Sequence, residues 1–248
     1  MNLDFAAERH RSPGFAALWM AVSILLSHAL EFIVPGVWLL PVVAGGSFWL
    51  LFAHPLRRGE FARAIRLALS WAAMMVAVQV TLTLLWPELM EANILRASIY
   101  RDEMFHWIGT GQGPEGDISL FLPIHLRHLA VFCVLGVASG GLLALMIGAA
   151  LLGYMNFYVG SLIAASGFSP VAFLLGWQVW AAVRVTGFII AGTALGAVLT
   201  SRNGQGAGKK RKILSWLAVA LALVVADILL KWALAGFYQQ ALNGVIGG

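Results

Sequence analysis

The sequence predicts an all-α, polytopic membrane helical bundle of about seven transmembrane helices, formed by a single membrane domain over residues 1–248. Hydrophobic residues make up 60% of the chain and charged residues only 11%. The mean hydropathy is +0.86, which is far from the values of soluble domains. Residues 128–183 contain no Asp, Glu, Lys or Arg. Because lipid offers the backbone no hydrogen-bond partners, uncharged runs of this length fold as membrane-spanning helices.

Proline, glycine and arginine separate the first three spans. The first span ends at the helix-breaking pair Pro35-Gly36. The second is followed by a loop over 54–66 that carries four arginines, and the third is closed by Pro87. The predicted spans lie at 15–34, 37–53 and 67–86.

The segment 88–128 is polar and holds six of the eleven acidic residues and three of the six histidines. Its 90–107 part has apolar residues at helical spacing, which predicts an amphipathic helix at the membrane–water interface. A glycine-rich loop over 109–117 follows. The predicted extracytoplasmic helix and loop occupy 88–123. The aromatic residues expected to anchor this segment at the interface are Trp86, Tyr100 and Trp107.

The apolar region 124–200 is interrupted by glycine clusters, which are compatible with three spans or with two spans and a re-entrant piece. It contains two Gly-x-x-x-Gly spacings, starting at Gly136 and Gly192, that favour close packing of two membrane helices. A last span is predicted over 213–237.

Lys and Arg residues indicate the orientation. The loops 54–66 and 201–212 carry four and five basic residues, whereas 88–117 carries two basic and six acidic residues. By the positive-inside rule both basic loops face the cytoplasm and the acidic segment faces outside. This predicts a bacterial inner-membrane protein with a cytoplasmic N-terminus and three crossings within 124–200.

The charge and the cysteine content exclude several classes of function. The net charge is +5, but the basic residues cluster in two short loops without stacking aromatics, which argues against nucleic-acid binding. The single Cys133 excludes an intramolecular disulfide and a thiolate metal cluster. The predicted partners are the lipid bilayer and a membrane or envelope protein. With no specific catalytic signature, the sequence favours a non-enzymatic role, and a metal ion is the one cofactor it suggests.

Ionisable residues inside spans are costly, so each one indicates a functional site or an ion pair. His28 and Glu31 lie on one helix face, either as a proton or ion site or as a pair that holds helices together. Arg184 needs a carboxylate, and Glu31 or Asp227 are the candidates. Asp227 and Lys231 are four residues apart on the last span, a spacing at which they can neutralise each other.

Two pairs of possible metal ligands flank the glycine-rich loop. Glu103 with His106 and His125 with His128 each have a three-residue spacing, which can place two ligands on one metal. Four nitrogen and oxygen ligands would suit zinc or non-haem iron. The alternative is that these side chains are solvated at the membrane boundary.

Residues 120–238 contain four characteristic runs in order: HLRHLAVFCVLG, SGGLLALMIGAALLGYMNFYVGSLIAASGF, VRVTGFIIAGTALG and VVADILLKW. In this order the chain resembles the stage II sporulation protein M family of bacterial and archaeal membrane proteins. Family members usually carry a His-Gly pair and a Glu where this chain has Trp180-Ala181 and Arg184. The resemblance implies a non-enzymatic scaffold or translocation partner in envelope processes.

Three functions are therefore considered. The first is a component or scaffold of an envelope complex that binds its partner through the outer segment. The second is a small-solute or ion transporter. The third is a metal-dependent membrane enzyme that uses Glu103, His106, His125 and His128. The central polar site of a transporter would consist of His28, Glu31, Arg184 and Asp227.

Overall fold

The computed structural model describes residues 12–200 and 207–246, and every regular element in these two ranges is helical. The all-α class is therefore confirmed for this part of the chain. A π-helical segment, Leu40–Gly45, directly precedes α2. The α-helices are α1 (Pro13–Glu31), α2 (Gly46–Arg57), α3 (Phe61–Leu85), α4 (Pro87–Asn93), α5 (Ala97–Thr110), α6 (Ile118–Ala138), α7 (Leu142–Ala165), α8 (Pro170–Leu175), α9 (Val179–Thr200) and α10 (Ala207–Ile246).

Six helical segments in the described ranges are long and apolar enough to cross a membrane. Large apolar side chains are exposed on the bundle, such as Leu18, Val134 and Trp232, and a surface of this kind is stable in lipid. The chain is thus a multi-pass helical membrane protein. The six segments are Pro13–Glu31, Phe61–Leu85, Ile118–Ala138, Leu142–Ala165, Pro170–Leu199 and Lys210–Ile246.

The second predicted span, 37–53, differs from the observed helix. The helical run begins at Leu40 in the π conformation and continues as α2 to Arg57. Gly45 lies against α7, where an added Cβ would be 3.1 Å from the Cα of Met146. A glycine is needed there because the two backbones are in contact. The predicted basic loop 54–66 is correspondingly reduced to residues 58–60, and its arginines lie on the ends of α2 and α3.

The predicted helix over 90–107 is not one continuous helix. It is divided into α4 and α5 by a turn in which Arg96 has a φ of 61°. Of its large apolar residues, Ile94, Met104 and Trp107 are buried within the protein, and Ile99 is exposed. The segment packs into the bundle because its apolar face contacts α7 and α10.

The region 124–200 contains three of the six long apolar segments and the short helix α8. Gly140, Gly141 and Gly167 have positive φ values of 63°, 94° and 61°, which glycine adopts without the strain of a Cβ. They form the turns on either side of α7. Gly196 is one of the predicted small packing residues, and an added Cβ there would lie 3.2 Å from the backbone of Gly140.

The bundle has two distinct ends, which the 25 residues of α3 separate by about 37 Å. We call the end that contains α4, α5 and the 111–117 loop the polar end. The opposite end carries the arginines around residues 57–66. Residues 201–206 of the second predicted basic loop lie outside the described ranges, and residues 207–212 form the first turns of α10.

Candidate ligand-binding site

A buried ion pair joins α9 to α10. Arg184 donates hydrogen bonds from Nε to Asp227 Oδ2 at 3.0 Å and from Nη2 to Asp227 Oδ1 at 3.1 Å. The Asp227 side chain is fully buried, and that of Arg184 is 16% exposed. Of the two carboxylates predicted as partners of Arg184, Asp227 is confirmed. Paired forks of this geometry are the strongest form of carboxylate recognition.

Lys231 pairs with a different carboxylate from the one predicted. Its Nζ lies 2.9 Å from Oε2 of Glu115, which belongs to the glycine-rich loop. Both oxygens of Asp227 accept hydrogen bonds from Arg184. The Lys231 side chain extends toward the glycine-rich loop instead. Trp180 Nε1 donates to the same Glu115 oxygen at 3.4 Å. Asp227 and Lys231 therefore form no direct ion pair, and the loop is attached to the bundle through Glu115.

The ring of Phe121 lies between the two cations. Lys231 Nζ is 3.4 Å and Arg184 Cζ is 4.8 Å from the ring centroid. Aromatic faces attract cations electrostatically, and more strongly when the groups are desolvated. Phe121 thus stabilises two charges that would otherwise repel each other.

His125 completes the group and is 2% exposed. Its ring stacks on Phe121 with centroids 5.0 Å apart. Nε2 is 3.6 Å from Asp227 Oδ2, which is too long for a hydrogen bond, and it has no other partner. We call Glu115, His125, Arg184, Asp227 and Lys231 the cavity charge network, because a cavity begins beside them.

The cavity has a volume of about 180 Å³ and is lined by residues from α2, α3, α5, α6, α7 and α9 and from the glycine-rich loop. Its lining on α9 runs from Arg184 to Thr193, a rise of about 14 Å. At the polar end it is lined by Arg96, Tyr100, Glu115, His125, Tyr154 and Arg184. At the other end it is lined by Phe52, Trp71, Ala144, Leu145, Leu152 and Gly192.

No family model, curated protein or solved structure matches this chain. The resemblance to the stage II sporulation protein M family thus stays a prediction. What can be inferred about function rests on the cavity and the residues around it.

Two tyrosines line the polar end of the cavity. The ring centroids of Tyr100 and Tyr154 are 4.6 Å apart. Burial, followed by the nearby charge of Glu115, raises the pKa of Tyr100 well above its usual value, so its hydroxyl stays protonated at neutral pH. Tyr100 therefore faces the protein interior rather than anchoring the segment at an interface.

The other two predicted interface anchors differ from each other. Trp86 is 46% exposed and makes an edge contact with Phe32, as an interfacial aromatic residue would. Trp107 is 1% exposed and belongs to the core between α5, α7 and α10. Its side chain holds α5 in the bundle and does not reach an interface.

The four predicted metal ligands do not come together. Glu103, His125 and His128 line the cavity, whereas His106 is exposed and does not line it. Glu103 pairs with Arg96 at 3.4 Å. Across 12–200 and 207–246, no three His, Cys, Asp or Glu side chains are close enough to hold one metal ion.

The predicted transporter site is divided in the same way. His28 Nδ1 lies 2.8 Å from Glu31 Oε2 within α1, and both side chains are buried. Neither residue lines the cavity or bonds to the Arg184–Asp227 pair in the described structure. The four residues therefore belong to two separate sites.

Glu115 and Phe121 are central to the site and are absent from the sequence predictions. Glu115 is one of two acids in a loop that reads as a flexible linker, and Phe121 is one of fourteen phenylalanines. The sequence carries one indirect signal for Glu115: Lys231 lies inside the last span and therefore requires a carboxylate partner from another part of the chain.

Proposed function

We propose that the protein binds a small amphiphile inside the membrane, with the polar group of the ligand at the cavity charge network and its apolar chain along the cavity. The observation that carries the proposal is a single cavity with ionisable side chains at one end and apolar side chains at the other. This proposal differs from the three hypotheses from the sequence, and it shares with the transporter hypothesis only a polar site inside the membrane. Arg184 and Asp227 remain, Glu115, His125 and Lys231 are added, and His28 and Glu31 are removed.

The apolar end supports an apolar occupant. Engineered protein cavities of about 150 Å³ lined by aliphatic and aromatic residues stay dry and bind benzene. Here the hydroxyl of Thr193 donates a hydrogen bond to the backbone carbonyl of Ile189 at 2.8 Å, so it is not free to bind water. Water would find few partners in this part of the cavity, whereas a hydrocarbon chain would make dispersion contacts with its walls.

The polar end supports a polar occupant. Ionisable groups within membrane helices are expensive and mark ligand or ion pathways. Each charge of the network already has an opposite charge within the protein, so the network persists without a ligand and still presents polar atoms to the cavity. A site of this kind is preorganised and needs little rearrangement on binding.

Seven crossings with a cytoplasmic N-terminus in a bacterial inner membrane are part of the proposal. The 18 residues from Leu40 to Arg57 form one helical run of about 27 Å, which is close to the thickness of the hydrocarbon core. Counted with the six long segments, this run supports a seventh crossing. The polar end would then face the outside and the arginine-rich end the cytoplasm.

A scaffold role in an envelope complex stays a prediction, as does the membrane or envelope partner. A partner that binds the 90–117 segment would contact its exposed face, since Met104, Trp107 and Ile108 are buried. The metal-dependent enzyme likewise stays a prediction, and among the described residues its four proposed ligands form no common group.

Filling the cavity tests the proposal. Gly148 lines the cavity, and an added Cβ there meets no atom within 4 Å. Gly148→Phe should occupy the space of the ligand chain without displacing backbone. Gly236→Phe on α10 is the matched control, because an added Cβ at Gly236 also meets nothing within 4 Å and Gly236 does not line the cavity.

The readout is the fluorescence of Trp71 in lipid nanodiscs, taken as the difference between wild type and Trp71→Phe. Amphiphiles brominated at the end of a chain of about eight carbons, a length that suits the cavity, should quench Trp71 saturably in wild type and Gly236→Phe. Gly148→Phe should remove most of the saturable quenching. Equal quenching in all three proteins would contradict the proposal.

A further inference from the structure

The polar end of the cavity has an imbalance between donors and acceptors, which indicates the headgroup of the ligand proposed above. The charges are matched in pairs: Arg184 with Asp227, Lys231 with Glu115, and Arg96 with Glu103. The hydrogen-bonding groups that remain uncommitted are mostly donors.

Arg184 supplies the first of these donors. Its Nε and Nη2 bind Asp227, which leaves Nη1 with two N–H groups and no hydrogen bond among the described residues. The side chain of Arg184 lines the cavity and is 16% exposed, whereas that of Asp227 is fully buried. The Asp227 carboxylate therefore holds the guanidinium on the side away from the cavity, and the Nη1 group is accessible from the cavity.

Tyr100 and Tyr154 supply two more donors. Both line the cavity, and neither hydroxyl forms a hydrogen bond within the described ranges. The ring centroids are 4.6 Å apart, so the two side chains line the same part of the cavity. A hydroxyl that stays protonated can donate to an anionic oxygen.

Histidine nitrogens line the same space. His125 Nε2 is buried without a hydrogen-bond partner, and His128 lies one helical turn further along α6 and also lines the cavity. A neutral imidazole donates from one nitrogen, and a charged one donates from both.

The acceptors, in contrast, are fewer. Both oxygens of Asp227 bind Arg184, and Glu115 Oε2 is close to Lys231 and Trp180. One oxygen each of Glu103 and Glu115 remains, and each of these carboxylates is already paired with a cation of the protein. An anionic headgroup would add hydrogen bonds without breaking an existing pair.

From these positions we infer that the ligand is a single-chain amphiphile with an anionic oxygen headgroup, either a carboxylate or a phosphate monoester. The headgroup accepts hydrogen bonds from Arg184 Nη1 and from the hydroxyls of Tyr100 and Tyr154. The chain extends along the cavity toward Phe52 and Trp71. This inference rests on the proposed function, since it names the ligand class of the same cavity.

The test compares four probes with the same brominated chain of about eight carbons: a carboxylate, a phosphate monoester, a neutral alcohol and a trimethylammonium. Affinity is measured by Trp71 quenching in nanodiscs of zwitterionic lipid. At least one anionic probe should bind about tenfold or more tightly than the alcohol, as expected for a charge-assisted, bidentate contact. The two anionic probes distinguish a carboxylate ligand from a phosphate ligand.

Arg184→Lys isolates the headgroup contact. The lysine keeps a positive charge opposite Asp227 but lacks the planar fork and therefore the Nη1 edge. Binding of the preferred anionic probe should weaken about tenfold, whereas binding of the alcohol should not change. Arg101→Lys is the matched control, because Arg101 pairs with Glu91 and Asp102 and does not line the cavity.

Tyr154→Phe provides a second variant that removes one hydroxyl and no charge, and it should weaken the anionic probe selectively. Equal affinity for alcohol and anionic probes, or unchanged anionic affinity in both Arg184→Lys and Tyr154→Phe, would overturn the inference. In that case binding that Gly148→Phe still abolishes would leave the proposed function intact. Quenching insensitive to Gly148→Phe would instead contradict the proposed function itself.

Discussion

The cavity charge network and the His28–Glu31 pair are both buried inside the bundle, but the network connects several elements and the pair lies within one helix. The pair lies within one helix, with its two atoms 2.8 Å apart, and lines no part of the cavity. The network joins α6, α9, α10 and the glycine-rich loop and borders the cavity directly. Both sets are ionisable residues inside the bundle, but only the cavity charge network lies where the proposed ligand could contact it.

The largest effect is expected from breaking the network at its centre. Asp227→Ala leaves the buried Arg184 without a counter-charge, and removing one partner of a buried pair costs about 3–5 kcal/mol. Thermal unfolding in detergent should show this loss.

The double variant Arg184→Met with Asp227→Leu removes both charges and should recover most of the stability, but not the binding of anionic probes. An Asp227→Ala protein with the thermal stability of wild type would show that the buried charge of Arg184 does not need Asp227 as its counter-charge.

An intermediate effect is expected at the loop. Glu115→Gln removes the charge opposite Lys231 but keeps an acceptor for Trp180, and leaving a buried group without its full partner costs roughly 1–3 kcal/mol. The loop should also detach more readily, because its ion pair with Lys231 is lost.

Limited proteolysis within residues 111–117 measures this detachment. Asp117→Asn is the control in the same loop, because Asp117 caps α6 through Ser119 and does not contact Lys231. Equal cleavage rates in wild type and Glu115→Gln would contradict the attachment of the loop through Glu115.

The smallest effect is expected at the separate pair. Glu31→Gln keeps an oxygen acceptor for His28 within the same helix, so the stability should fall by about 1 kcal/mol or less. Binding of all amphiphile probes should remain as in wild type, because neither residue lines the cavity. A loss of probe binding in Glu31→Gln would remove the contrast between the two sites and restore His28 and Glu31 to the functional set.

The elements of the fold could be predicted from sequence because their signals are local. Uncharged apolar runs predict the long helices, and Pro35-Gly36 and Gly140-Gly141 occur at their ends. The periodicity of the 90–107 segment predicts an apolar helix face, but it does not indicate whether lipid or protein contacts that face. Trp107 is covered by protein, although the same pattern would suit lipid.

The site itself could be predicted only in part. Arg184 and Asp227 are found from sequence because an isolated arginine in an apolar run requires a carboxylate, and few carboxylates lie within spans. Glu115 could not be found this way. Its partner Lys231 is 116 positions away along the chain, and local spacing favours the nearer Asp227.

The most direct test of amphiphile binding is a crystal structure of the protein grown in a lipid phase with the bromine-terminated carboxylate or phosphate probe. Anomalous scattering locates the bromine atom without ambiguity about the rest of the chain. Bromine should lie between Phe52 and Trp71, with the headgroup at Arg184, and this position should be lost in Gly148→Phe. Bromine found only against the lipid-facing surface of the bundle, with the cavity holding none in wild type, would contradict amphiphile binding in the cavity.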